Sequence, residues 1–216
     1  MRVKDILDLV GGPNPGADWA AVLAADEYTS ALPMEALLDP ATLLVYEMNG
    51  EVLPREHGYP ARLLVPGRYG MKNRTWVIGL RPMRREFLDW YGQRQWSKQG
   101  LVRAMCRIDT PAPGARLAPG DHTVAGVAYA GTRGIQQVDV STDGGQSWQT
   151  AELLDGAAPG QDRWVRWRAP FTLAAGTERR LLARATDGTG QVQAEAFSLP
   201  QPDGGTGWPS LEVQAG

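Results

Sequence analysis

The last half of the chain carries a two-residue period. Val165 and Trp167 alternate with Arg166 and Arg168, Arg180 to Ala185 repeats this more loosely, and Ile135, Val138 and Val140 sit among polar neighbours. Successive side chains of a strand point to opposite faces, so this spacing predicts half-buried strands at 122–129, 135–141, 147–149, 163–168, 180–185 and 191–198. Asp143-Gly144-Gly145 and Asp187-Gly188-Thr189-Gly190 fall between them as turn signals, because glycine supplies the positive φ that tight turns demand. Short strands divided by such turns predict an immunoglobulin-like β-sandwich over residues 109–200, entered through the Pro/Gly linker DTPAPGARLAPG. Trp148, Trp164 and Trp167 are expected as its core and rim. The tail, residues 201–216, is expected to be loosely ordered.

Residues 1–108 have a mixed pattern. MRVKDILDLVGG reads as an amphipathic helix (Val3, Ile6, Leu7, Val10) stopped at Gly11-Gly12. Strands are predicted at 18–23 and 28–33, with a helical turn over 33–38. In TLLVYEMNGEVLP, Leu43–Met48 is a strand, Asn49-Gly50 the tight turn and Val52-Leu53 the return. Short strands at 61–65 and 76–80 flank a Gly-containing turn. The fold class expected for the whole is therefore α+β, mostly β, with a boundary near residue 108.

Composition narrows the function classes. A hydrophobic content of 43% and a net charge of −2 mark a globular chain. No apolar run is long enough to span a membrane, and Asp5 and Asp8 interrupt the N-terminal apolar stretch, which argues against a signal peptide. One cysteine, Cys106, and two histidines, His57 and His122, rule out a multi-thiolate metal site and leave little for a histidine-built one. The single thiol is expected to be a small buried core group. The charge is unevenly spread. Residues 1–54 hold two cations against nine anions, residues 55–108 twelve against three, and residues 109–216 eight against twelve. A basic centre in an acidic chain points to a small anionic ligand and away from nucleic acid; a solvated basic face is the bland rival.

That centre contains HGYPARLLVPGRYGMKNRTW, residues 57–76, with three cations within seven residues, Arg68, Lys72 and Arg74. MNGEVLPREHGYPARLLVPGRYGMKNRTW resembles the sulfite oxidase family of molybdopterin-dependent oxidoreductases. RIDTPAPGARLAPGDHTVAGVAYAGTRGIQQVDVSTDGGQSWQTAELL resembles that family's immunoglobulin-like dimerisation domain. The resemblance implies the C-terminal part of a molybdopterin-binding domain at 1–108, a dimerisation domain at 109–200, a homodimer, and molybdenum-molybdopterin as cofactor. It places His57 and Arg62 on the family's cofactor-contacting histidine and arginine, Asp26 on its acidic contact, and Asn73-Arg74-Thr75 on the tripeptide before its tryptophan, here Trp76. A phosphate wants fixed cations and backbone N–H donors at a Gly-containing turn. Arg62 offers a planar fork, and Lys72 and Arg74 add charge. His57, Asn73 and Asp26 offer in-plane partners for a pterin.

Two departures shape the expected function. Thr75 stands where a lysine commonly precedes the tryptophan. Aligning YGQRQW puts Trp96 where sulfite-oxidising members have a tyrosine, with Arg94 two residues before it, so Arg94 and Trp96 are the substrate-pocket candidates for a small oxyanion or oxide. The family's metal-ligating cysteine belongs to a stretch before the one resembling MRVKDILDLVGG. The chain is therefore expected to be a cofactor-binding part of an oxygen-atom-transferring enzyme, inactive by itself, with its cofactor contacts incomplete, and open to a separately encoded N-terminal segment. The compartment is left open by the sequence, cytoplasmic or periplasmic. The alternative reading is a non-catalytic immunoglobulin-like binding or dimerisation module with a basic groove for an anionic ligand.

Overall fold

The computed structural model describes residues 1–216. Two compact units emerge. One comprises residues 1–101 with 201–203, the other residues 102–200 with 204–216.

In the first unit, helix α1 (Val3–Leu9) buries Val3 and Leu7. Strands β1 (Trp19–Ala24) and β2 (Thr29–Pro33) form a hairpin, and α2 (Met34–Leu38) follows without a break. Strand β3 (Leu43–Val45) leads into a small hairpin of β4 (Glu47–Met48) and β5 (Glu51–Val52), turned at Asn49 (φ 56°) and Gly50 (φ 82°), as the Asn-Gly pair predicts. Strand β6 (Arg62–Leu64) pairs antiparallel with β3, and β7 (Val77–Met83) pairs antiparallel with β1, giving the sheet order β2-β1-β7. Val3, Leu7, Ala20, Val22, Leu32, Leu37, Leu63 and Val65 make one buried cluster. The short strands thus hold onto the molecule through alternate apolar side chains, leaving their partners free to face solvent or a ligand.

The second unit is a two-layer sandwich. Its strands are β8 (Met105–Thr110), β9 (Arg116–Leu117), β10 (Gly120–Tyr129), β11 (Gly134–Ser141), β12 (Gln149–Thr150), β13 (Glu152–Leu153), β14 (Ala158–Pro159), β15 (Val165–Leu173), β16 (Glu178–Asp187) and β17 (Ser210–Ala215). One layer has the order β13-β15-β10-β8, the other β12-β11-β16-β17-β9, with β14 on β11. Val165, Trp167, Ala169, Phe171 and Leu173 alternate into the core. Trp167 is fully buried, whereas Trp164 lies half-exposed at the rim, stacked on Tyr129 at 4.9 Å.

Three expectations are corrected. The boundary falls at residue 101, because Met105–Thr110 is a sandwich strand with Cys106 in its core. Residues 191–198 form no strand. The final strand is β17 instead, antiparallel to β16 and parallel to β9, and it buries Leu211 and Val213. The tail is therefore structural; its Pro/Gly-rich start hid the alternation in Ser-Leu-Glu-Val-Gln-Ala.

Candidate functional site

Backbone hydrogen bonds gather the sequence candidates at one end of the first unit. Leu63 N–H donates to Arg74 O (2.7 Å), Val77 N–H to Ala61 O (3.0 Å) and Ala25 N–H to Trp76 O (2.9 Å). Segments 25–28, 61–63 and 74–77 are therefore laced together. The turn at 55–58 closes on them through Gly58, whose φ is +110°. A Cβ there would meet Thr75 Cγ2 at 2.8 Å and Arg62 Cβ at 3.3 Å. Only glycine permits that backbone and that approach. His57, next to it, is exposed, and its carbonyl accepts from Arg62 Nη1 at 3.5 Å.

Asp26 and Arg74 sit across this cluster at 3.7 Å. The Asp26 carboxylate also accepts the N–H of Tyr28 (3.2 Å), an Asx-type turn that fixes its direction. The Arg74 guanidinium lies 3.6 Å from the centroid of the Tyr28 ring, a cation–π geometry. Burial pushes the Tyr28 phenol well above its ordinary range, against the opposing pull of Arg74. A cavity of about 560 Å³ opens here, lined by Ala25, Asp26, Arg55, Tyr59, Pro60 and Trp76. Trp76 holds φ +56°, a conformation that a bulky L residue adopts only at a cost.

Three buried polar atoms in this neighbourhood have no partner: Arg62 Nε, Arg74 Nε and the Tyr28 hydroxyl. Each such atom costs about 1–3 kcal/mol, which is large against a domain stability of about 5–15 kcal/mol. Two orphaned guanidinium donors beside an exposed histidine suit an anionic acceptor. An anionic group carrying a flat, hydrogen-bonding ring system fits this donor set and the aromatic-walled cavity.

Not every candidate faces the cluster. Lys72 is fully buried, its ammonium held by Asp89 Oδ2 (2.7 Å) and Ala31 O (3.1 Å). Its expected role at a phosphate is corrected to a structural one. Asn73 is likewise committed. Its Oδ1 accepts Val65 N–H (2.7 Å), and its Nδ2 donates to Arg68 O (3.0 Å) and Tyr69 O (3.2 Å). Its amide staples the turn 65–73 and has no spare face for a pterin. Thr75 contributes by packing on Gly58. Arg68 ties the turn to a later loop, donating to Gln99 O, with burial drawing its pKa down.

Arg94 and Trp96 lie on a loop anchored by Asp89, whose Oδ1 accepts Gly92 N–H (2.8 Å) while Oδ2 accepts Ala31 N–H (3.0 Å). Trp96 packs edge-on against Tyr91 (5.8 Å), Tyr91 against Tyr28 (6.2 Å), and Arg94 covers Trp90 at 3.6 Å. An aromatic run thus connects the substrate-pocket candidates to Tyr28 and Arg74. The sequence reading missed Tyr28, Arg55, Tyr59, Gly58 and Asp89. Only the glycine carried a signal, standing directly after the histidine. Cys106 belongs to the other unit, 6% exposed within the sandwich core, and burial pushes its thiol far up.

Comparison with known proteins gives concordant matches. Residues 1–91 match the family model of the oxidoreductase molybdopterin binding domain, and residues 101–199 that of the Mo-co oxidoreductase dimerisation domain. A sulfite oxidase of Gallus gallus is 34% identical over 193 residues, spanning 79% of this chain and 42% of the relative. A sulfite oxidase of Arabidopsis thaliana is 27% identical over 237 residues, spanning 90% and 60%. The crystal structure of the sulfane dehydrogenase SoxCD from Paracoccus pantotrophus superposes with a TM-score of 0.78 at 29% identity, covering 98% of this chain and 58% of that one. The chain therefore spans less than two thirds of each of these relatives.

Proposed function

This chain belongs to the sulfite oxidase family of molybdopterin-dependent oxidoreductases, and we propose that its first unit grips the molybdenum cofactor between the 55–62 and 74–76 segments. The carrying observation is the pair of buried, unpartnered Nε donors on Arg62 and Arg74. Arg62 takes the phosphate, with His57 beside it. Arg74, braced by Tyr28 and Asp26, would hold the pterin. Trp76 and Tyr59, which line the cavity, would wall the ring. When bound, the cofactor supplies oxygen-atom transfer at molybdenum, the hard step that the polypeptide cannot perform. A small oxyanion or oxide is steered by Arg94, which is exposed. Trp96 has no hydroxyl and offers a wall only.

The sole thiol is buried in the other unit and held neutral, so the chain binds the cofactor without supplying a thiolate ligand. We accordingly expect no turnover from the purified chain. Oxygen-atom transfer with stoichiometric molybdenum in the preparation would overturn this. The cofactor reading itself is tested by oxidising purified protein and measuring the fluorescent pterin released. Arg62→Ala is expected to lower retention by about 10–100-fold, the worth of one charge-assisted hydrogen bond set, with the melting curve unchanged. Full retention in the variant would remove Arg62 from the site. Association into a homodimer through the second unit completes the reading, since the matched model is a dimerisation domain.

A further inference from the structure

The loop that carries Arg94 and Trp96 is fastened to the turn at 66–74 by both of its ends. At its start, Asp89 Oδ2 accepts from the Lys72 ammonium (2.7 Å). At its close, Tyr69 N–H donates to Gly100 O (2.7 Å) and Arg68 donates to Gln99 O. Gly100, at φ +62°, lies so near the turn that a Cβ there would meet Lys72 Cγ at 2.9 Å. A third strut is aromatic. The Arg74 guanidinium sits over the Tyr28 ring, and that ring packs against Trp90 (6.4 Å) and Tyr91 (6.2 Å) of the loop.

Asp89 is where these parts join. Its Oδ1 accepts Gly92 N–H (2.8 Å), which opens the single helical turn Gly92–Arg94. Its Oδ2 accepts from Lys72, from Ala31 N–H (3.0 Å) and, at 3.5 Å, from the Ser30 hydroxyl. One buried carboxylate therefore connects β2, the cationic turn and the loop. Stability alone does not call for it, since apolar residues of similar volume often replace a buried ion pair at little or no cost. What an apolar side chain cannot do is accept two backbone N–H groups in fixed directions.

We propose that Asp89 is a positioning residue that locks the Arg94 loop to the Arg74 turn, so that a cofactor held at Arg74 also fixes where Arg94 stands. This rests on the cofactor reading above and adds the link between its two groups of residues. An acceptor on the orphaned Nε of Arg74 pins the guanidinium against Tyr28, and with it the ring on which Trp90 and Tyr91 pack. Lys72, two residues before Arg74, carries the same restraint to Asp89 and the Gly92 N–H. The effect runs both ways: a cofactor that steadies the loop is itself held more tightly while the loop is closed.

The test is hydrogen exchange of residues 90–97 in the full chain, purified with its pterin and, separately, made in cells unable to synthesise molybdopterin. In the wild type the loop is expected to exchange about tenfold more slowly when pterin is present. In the double variant Lys72→Met with Asp89→Leu it is expected to exchange fast in both states, with pterin retention lowered by a similar factor and urea unfolding near wild type. A merely structural pair would return the wild-type difference once stability was restored. Lys98→Met removes the exposed Lys98–Glu86 pair (2.8 Å) and is the control, expected to keep the difference. Wild-type exchange that ignores bound pterin, a double variant that keeps the difference, or a control that loses it overturns the link and leaves the cofactor reading standing. A wild-type preparation without pterin overturns the cofactor reading, and the link falls with it. Should the double variant fail to fold, Asp89→Asn asks the same question. Its oxygen stays with the ammonium while its NH2 group meets the Gly92 N–H, donor against donor, and releases the loop. Loss of the difference is then expected, and its persistence overturns the link.

Discussion

Lys72 carries its charge into the interior of the first unit, where Asp89 receives it with 1% and 2% of the two side chains exposed. Asp89 is the hub. Burial by itself would raise its pKa, but the Lys72 ammonium and the N–H groups of Ala31 and Gly92 outweigh it and hold the carboxyl below its usual range. Lys72→Ala leaves that carboxylate buried and unpaired, so a loss of about 3–5 kcal/mol is expected, measured by urea unfolding of the first unit. Replacing the two together, Lys72→Met with Asp89→Leu, is expected to recover most of it. From sequence alone Lys72 was indistinguishable from Arg74, because both sit in one cationic turn. What separates them is Asp89, distant in the chain and lacking any local pattern. His57 and Arg62 were legible through the motif around them; the aromatic support of Arg74 by Tyr28 was not, since no short-range spacing announces a cation–π pair.

At the scale of elements, the 55–58 turn works by absence. Gly58→Ala forces a Cβ onto Thr75 and an L residue into a left-handed backbone, so the turn must lift away from Arg62. Pterin retention is expected to fall about tenfold or more, given a strain of roughly 1–3 kcal/mol, while the sandwich melts unchanged; equal retention would show the approach to be dispensable. Strand β17 matters to the other unit. Removing residues 204–216 strips Leu211 and Val213 from the core, each worth about 1.5–3 kcal/mol, along with the pairing to β16. Calorimetry is expected to show the sandwich transition lowered sharply or lost. Period-two alternation made the central strands readable. It failed at 191–198, where Gln193 turns its side chain back onto Ala185 and Gly207 instead of pairing in a ladder.

Across the whole molecule, each unit depends on a depressed carboxylate. Asp187 parallels Asp89: burial opposes its ionisation, but Thr189, Arg133 and the N–H of Gln191 outweigh it. A folded pKa below the unfolded one contributes stability that is fully present above the ordinary carboxylate value of about 3.9 and lost as pH falls through the lowered folded value. Melting temperatures of both units are therefore expected to be flat near neutrality and to drop once the pH passes below about 4. A drop beginning well above that would implicate other groups.

Residues 201–203 belong to the first unit although the sandwich precedes them in the chain. Pro202 O receives Ser97 N–H (2.8 Å) and Gln201 donates to Arg94 O (2.7 Å). The loop bearing Arg94 is thus buttoned by a segment encoded a hundred codons downstream. Recombination that swapped the sandwich at a single joint near residue 101 would unfasten that loop. Chimaeras that keep both the loop and strand β17 with their own units need three joints, near residues 101, 200 and 203.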